Sequence, residues 1–238
     1  RKYRAIDCII SNSRTNRDEL IRWGVKNRIE AIPNGVNLGN FYPAADENEK
    51  LELRRKLSCN PTGKIVLSVG AVHPRKGTDL LLKAWQTITR EIPDAHLYLI
   101  GMRHDLAVSN LHEFRQSVET LVASSGAPDR IHFLGYVPNV AEYLRAADLL
   151  LFPSRKEGMP NAIIEAMASG TPVVTCPFIG ISPELGRPDI DFILTDHSPD
   201  AIAKAAIDLL TDKNVHRQFS QSAHRWVAQN MDVEDMLD

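Results

Sequence analysis

Ser154-Arg155-Lys156-Glu157-Gly158-Met159-Pro160-Asn161-Ala162-Ile163-Ile164-Glu165-Ala166-Met167 follows the apolar run Leu149-Leu150-Leu151-Phe152-Pro153. The run has the length and composition of a short buried strand. What comes next reads as a loop opening a helix. Pro160 suits the first helical position, where its missing N–H costs no hydrogen bond. Gly170 followed by Pro172 marks the helix end near Ser169. Glu157 and Gly158 then fall on the strand-to-helix loop, and Glu165 lies about 7–8 Å along the helix axis. Between the acids is a helix N-terminus whose amides lack intrahelical partners, which suits phosphate. The segment Gly158, Met159, Pro160 and Asn161 is the expected diphosphate seat. One carboxylate is then free to accept from ribose hydroxyls and the other from sugar hydroxyls, since an ionised carboxylate only accepts. From the residues alone, a surface-loop acid and a solvated helix acid remain the alternative.

The chain has 238 residues, 43% of them hydrophobic and 24% charged, in the range of a soluble globular protein of one to two domains. A net charge of −2 provides no bulk attraction to nucleic acid or to an anionic membrane, so neither is an expected partner. No apolar run approaches the ~20 residues of a transmembrane helix, and no signal peptide is visible. Cys8, Cys59 and Cys176 are odd in number and widely spaced, which fits a reducing cytoplasm and neither a disulfide framework nor a zinc site.

Along the chain, a strand at Ile6–Ile10 leads to candidate N-caps at Ser11 to Ser13 and a helix to about Trp23. A second short strand, Ile29–Ile32, ends at Pro33-Asn34-Gly35. A helical stretch spans Asp46 to Ser58. Strands and helices then alternate: Ile65–Val69, a helix from Thr78 to Glu91, Leu97–Ile100, a helix from Asn110 to Ser125, Ile131–Leu134, a helix from Val140 to Ala147, and Leu149–Phe152. Pro172–Thr175 and Phe192–Leu194 are further strands, and helices from Pro199 to Leu210 and Val215 to Gln229 close the chain. Such alternation predicts an α/β fold, a Rossmann-like doubly wound parallel sheet with right-handed crossovers. Ligands bind such sheets outside the carboxyl ends of the strands. The loops Gly70–Gly77, Gly101–Asp105, Gly135–Asn139, Ser154–Asn161 and Phe178–Glu184 converge there.

The run PSRKEGMPNAIIEAMASGTPVV, residues 153–174, resembles the E-x7-E segment of retaining GT-B glycosyltransferases of the large group 1 (GT4-like) family. Ile32-Pro33-Asn34-Gly35-Val36 resembles that family's interdomain linker. The resemblance implies that residues 1–40 are the tail of an N-terminal acceptor domain with its linker, and that residues 41–238 are the nucleotide-sugar-binding C-terminal half of a GT-B fold. It implies that Glu157 binds donor-sugar hydroxyls, Glu165 the ribose and Lys76 the diphosphate, with Gly70 and Arg75 on the same loop. Tyr136 and Val137 would border the nucleobase, with Tyr136 equally readable as a half-exposed packing aromatic. Departures from the family pattern are Ala71 where arginine is usual, Met102-Arg103 after Gly101 where a second glycine is usual, and Ile179 in place of a glycine. Glu184 reads equally as a donor-loop acid or a structural one. Asp189 and Asp191 read as a solvated turn and His73 as an exposed loop histidine.

Transfer of a sugar from a nucleotide-diphosphate sugar to an acceptor with retention is the activity this resemblance implies, with no metal and no separate cofactor. Glu157 and Lys76 are the expected catalytic residues, acting by positioning and by stabilising the leaving phosphate. A catalytically silent nucleotide-sugar-binding module and a sugar-nucleotide epimerase of GT-B architecture are the alternatives. The acceptor, whether glycan, lipid or small molecule, is left to the missing domain, as is any peripheral membrane contact.

Overall fold

The computed structural model describes residues 6–102 and 111–234. The chain begins with a small unit, β1 (Cys8–Ser11), α1 (Arg14–Arg22) and β2 (Arg28–Ala31), whose strands form their own parallel two-stranded sheet. Of the candidate caps, Ser13 is the one used; its hydroxyl accepts from the Asn16 amide. The linker passes under the end of the chain, where the Val36 amide donates to the Met231 carbonyl. Ile10, Ile21 and Trp23 of the small unit are 68%, 54% and 72% exposed.

After α2 (Glu47–Lys56), capped by Asp46, come β3 (Ile65–Val69), α3 (Thr78–Glu91), β4 (His96–Ile100), α4 (His112–Ala123) and β5 (Ile131–Gly135). Then follow α5 (Val140–Ala146), β6 (Leu149–Phe152), α6 (Asn161–Ala168), β7 (Val173–Thr175), β8 (Ile193–Leu194), α7 (Pro199–Thr211) and α8 (Lys213–Asn230). The strands form a six-stranded parallel sheet in the order β5-β4-β3-β6-β7-β8.

The four inner strands, β4, β3, β6 and β7, are covered on both faces, and their alternating side chains feed two separate cores. Ile65, Leu67, Tyr98, Ile100, Leu150, Phe152 and Val173 face α5, α6 and α8. Val66, Leu97, Leu99, Leu149, Leu151 and Val174 face α3 and α7, where Trp85 is fully buried. The two-residue period of a strand makes this division, and it explains why these segments read as continuous apolar runs.

The expected elements are present with shifted ends. α6 begins one residue late, because Pro160 is extended (φ −80°, ψ 96°) and serves as the N-cap. α8 begins at Lys213 because the Asp212 carboxylate accepts from the amides of Asn214 and Val215. Only Ile193 and Leu194 of the last predicted strand pair with β7, while Phe192 turns into the core. Arg103, His104, Asp105 and Asn110 lie outside the described residues. Among the described residues no helix is long and apolar enough to cross a membrane.

Candidate functional site

In the order β5-β4-β3-β6-β7-β8, successive connections run one way from β3 and the other way from β6. Adjacent loops therefore part at the carboxyl ends of β3 and β6, leaving the crevice where doubly wound sheets hold their ligands. The loops at that point are residues 70–77 and 153–160.

Local backbone geometry places Lys76 there. Gly70 has φ +144°, and a Cβ on it would lie 3.3 Å from Lys76 Cε, so the bare glycine leaves room for the lysine stem. The His73 Nδ1 accepts from the Arg75 amide at 3.0 Å and caps a single 3-10 turn, Pro74–Lys76. His73 is thus a half-buried capping residue and not a free loop histidine. Gly77 ends the turn at φ +70°, and a Cβ there would lie 2.0 Å from the Pro153 carbonyl oxygen. Because the obstacle is backbone, it cannot move aside cheaply. Gly77→Ala is expected to cost about 2–4 kcal/mol through left-handed strain and this overlap. In thermal unfolding that is a fall of roughly 5–15 °C for a chain of this size.

The β6 loop is tied to the β3 loop along its length. Arg155 makes a bidentate pair with Asp79 at 2.9 Å on both arms and donates to the Pro74 carbonyl. Burial raises the Asp79 carboxyl, but its bonds and charge contact with Arg155 outweigh this and hold it below its ordinary value. Arg75 Nη1 donates to the Lys156 carbonyl at 2.9 Å and approaches Glu157 Oε2 at 3.4 Å. Lys76 Nζ lies 2.8 Å from Glu157 Oε1 and 5.1 Å from the centre of the Phe152 ring. Glu157, its side chain 10% exposed, also accepts from Ser154 Oγ at 2.5 Å. The two residues expected to be catalytic therefore form a single ion pair on the crevice floor.

A third loop closes on the same point. The Glu157 amide donates to the Ile179 carbonyl at 3.0 Å, and a Cβ on Gly180 would lie 1.9 Å from the Glu157 carbonyl oxygen. Glu184 of this loop pairs with Arg14 of α1 at 3.0 Å, accepts from Ser182 Oγ, and has an 11% exposed side chain. The Arg14 pair ties the small unit to this loop. Thr15 Oγ1, also in α1, donates to the Ile181 carbonyl at 3.0 Å.

Past Glu157, the amides of Gly158, Met159, Asn161 and Ala162 have no acceptor among the described residues. Pro160 has no amide to donate and can only shape the loop, whereas the Met159 side chain is buried in the core (6% exposed) while its amide stays without an acceptor among the described residues. The Asn161 side chain is occupied, its Oδ1 accepting from Asn34 Nδ2 at 2.6 Å. Glu165 follows one turn later on the same helical face. It has no hydrogen-bonding or ionic partner among the described residues, and burial pushes its carboxyl above the ordinary 4.5.

A raised folded-state value means that the native chain holds the proton more tightly than the unfolded one. Stability is then fullest below the ordinary value and is lost as pH rises through the folded one. Glu165→Gln removes that penalty, so the ligand-free variant is expected to melt higher than the parent at pH 7 and equally at pH 4. A melting-temperature series between these values reads the difference directly.

Gly135 turns the chain at φ +67°, leaving Tyr136 81% exposed and Val137 half-buried against the core. Tyr136 is therefore not a packing aromatic. Gly101 serves the loops themselves, since a Cβ there would lie 2.2 Å from the Gly70 carbonyl oxygen. In the Asp189–Asp191 turn Asp189 is exposed as expected, but Asp191 is not. Asp191 is fully buried, paired with Arg187 at 2.8 Å and accepting from Ser222 Oγ at 2.7 Å. Among the described residues no cluster of acidic, His or Cys side chains could hold a metal ion.

The pattern of the glycosyl transferases group 1 family matches residues 49–226. The chain belongs to that family. It is 30% identical to the D-inositol 3-phosphate glycosyltransferase of Salinispora tropica, with 98% of this chain and 50% of that protein aligned. The mannosylfructose-phosphate synthase of Agrobacterium fabrum is 33% identical over 72% of this chain and 38% of its own length. Among solved structures, sucrose-phosphate synthase from Thermosynechococcus elongatus superposes with a TM-score of 0.81 at 29% identity, covering 97% of this chain and 55% of that one. This group 1 chain thus spans about half the length, or less, of the curated relatives it matches, and its sheet has the GT-B glycosyltransferase architecture.

Proposed function

We propose that this chain is the donor-binding half of a retaining, metal-independent glycosyltransferase that uses a nucleotide-diphosphate sugar. The observation that carries this reading is the Lys76–Glu157 pair at the switch point, 2.8 Å apart, beside a row of unpaired amides. The amides and Lys76 suit a diphosphate, because they bring positive charge to the oxygens that become negative as the glycosidic bond breaks. Lys76 and Arg75 supply the charge neutralisation that a divalent cation provides in other transferases. Glu157, held by Ser154 and Arg75, is placed to accept from sugar hydroxyls once Lys76 turns to phosphate. Glu165, half-buried and without a partner among the described residues, suits ribose hydroxyls, which would satisfy its oxygens. Residues 1–40 form the end of an acceptor-binding domain in this reading. The separate two-stranded sheet and the exposed Ile10 and Trp23 support that division.

The test is thermal unfolding of this chain with UDP, GDP and ADP, repeated on Glu165→Ala. A ligand that binds only the folded state at a hundredfold its Kd adds about 2.7 kcal/mol. A rise in melting temperature with one nucleotide, lost in the variant, is the expected result and identifies the base. No rise with any nucleotide at millimolar concentration refutes the reading for this chain.

A further inference from the structure

A second cleft lies at the amino ends of the strands, the pole opposite Lys76 and Glu157. It encloses about 770 Å³, within the range of small-molecule sites. One wall is the face of α2 that carries Lys50 and Arg54; the other is the start of α8, with Lys213, His216 and Arg217. The floor is Asp148 just before β6 and the turn Ser169–Thr171 before β7. Lys64, at its edge, precedes β3, whereas Gly70 follows it, so the strand separates this cleft from the donor crevice by about 20 Å.

The cleft is cationic in a chain whose net charge is −2. Six Lys or Arg line it, against three Asp or Glu. Of those acids, Asp46 is used as the cap of α2, and Asp148 is shared between Lys50 at 2.7 Å and Arg54 at 2.8 Å. Lys64, Lys213 and Arg217 have no ion-pair partner among the described residues. His216 is already engaged. Its Nε2 lies 2.9 Å from the Asp148 carbonyl, and burial holds its ring below its ordinary pKa.

Two buried polar atoms in the wall also have no hydrogen bond among the described residues. Arg145, its side chain 10% exposed, stacks on Tyr42 and stands 3.7 Å from Glu49, yet its Nε has no hydrogen bond. Ser169 Oγ is likewise buried without one. Buried polar groups are paired as a rule, so these two atoms stand out in the lining of the cleft.

We propose that this cleft binds a small polyanion carrying phosphate groups, independently of the donor crevice. Guanidinium and ammonium groups facing one another across a concave site suit a compact molecule with more than one negative charge. Isothermal titration of this chain with sodium tripolyphosphate at low salt, where charge interactions are least screened, tests it. Two binding events are expected, one in each cleft. One weakens about tenfold or more in Lys213→Glu/Arg217→Glu, both exposed on α8, and persists in Lys76→Ala. Lys64→Ala, with a smaller charge change, is expected to weaken the same event if the double variant proves less stable. Binding that is absent, indifferent to Lys213, Arg217 and Lys64, or abolished by Lys76→Ala overturns the proposal. So does co-sedimentation with phosphatidylserine vesicles without any response to tripolyphosphate, which would make the surface a membrane contact. A failed donor reading would show instead as no response to UDP, GDP or ADP with the tripolyphosphate event intact.

Discussion

Replacing Lys76 with alanine is expected to lower sugar transfer by about two to three orders of magnitude, the usual cost of deleting one preorganised charge-stabilising group. The measurement is kcat/KM in a protein that carries this chain together with the other half of its relatives' length. Lys76 Nζ is 20% exposed by its side chain and held over Phe152, so little reorganisation is needed to bring it to a diphosphate. Its removal also leaves the Glu157 carboxylate with Arg75 at 3.4 Å and Ser154 as its remaining partners. Under the proposed function, loss of the cation would therefore act twice, on the leaving group and on the Glu157 carboxylate. Lys76→Arg is expected to recover only part of the rate, because a planar guanidinium does not place its charge where the compact ammonium does. A rate within about threefold of the parent for Lys76→Ala would show that the lysine has no part in the chemistry.

Asp148→Asn is expected to have the largest effect on stability, about 3–5 kcal/mol. Asp148 is buried at the start of β6, where its carboxylate meets Lys50, Arg54 and the Ile65 amide, each at 2.7–2.8 Å. Lys50 and Arg54 are themselves only 13% and 9% exposed, so neutralising the aspartate leaves two buried cations without a counter-charge. The melting temperature should fall by roughly 6–20 °C. Burial works to raise the Asp148 carboxyl, but the charges of Lys50 and Arg54 prevail and hold it below the ordinary 3.8. A depressed value adds stability that is present above the unfolded value and lost as pH falls through the folded one. The difference between parent and variant should thus be full at pH 7 and shrink as the pH drops below about 4. A difference that stays constant down to about pH 2 would assign the loss to packing instead of charge.

The parallel strands were legible because a strand buried on both faces must be apolar throughout, as in Leu149–Phe152 and Ile65–Leu67. Helix ends were legible to within a residue or two, and the misses have local causes. Pro160 could occupy the N-cap or the first turn with equal ease, and only its extended backbone (ψ 96°) shows which. The Glu157 and Glu165 positions came from one continuous stretch, because both lie on a single strand–loop–helix unit. Their opposite environments were not legible. Glu157 gains Lys76 and Arg75 from a loop some eighty positions earlier, and Glu165 gains no partner among the described residues.

Asp191 in the Asp189–Asp191 turn was misread for a related reason. Two acids in a polar loop carry no mark of burial, and Asp191 is buried because Arg187 and Ser222 reach it from the turn itself and from α8. The bidentate bond between Arg155 and Asp79 spans 76 positions, and no periodicity joins them.

Sequence alone determined the α/β alternation, the two-faced core and the family, since each is written in the order and spacing of neighbouring residues. Tertiary structure decided the rest. The order β5-β4-β3-β6-β7-β8 places the 70–77 and 153–160 loops side by side, turns Lys76 and Glu157 into a pair, and gathers a cationic cleft at the far pole. Those features depend on which strands become neighbours, and strand pairing is settled by the packing of helices over the whole sheet.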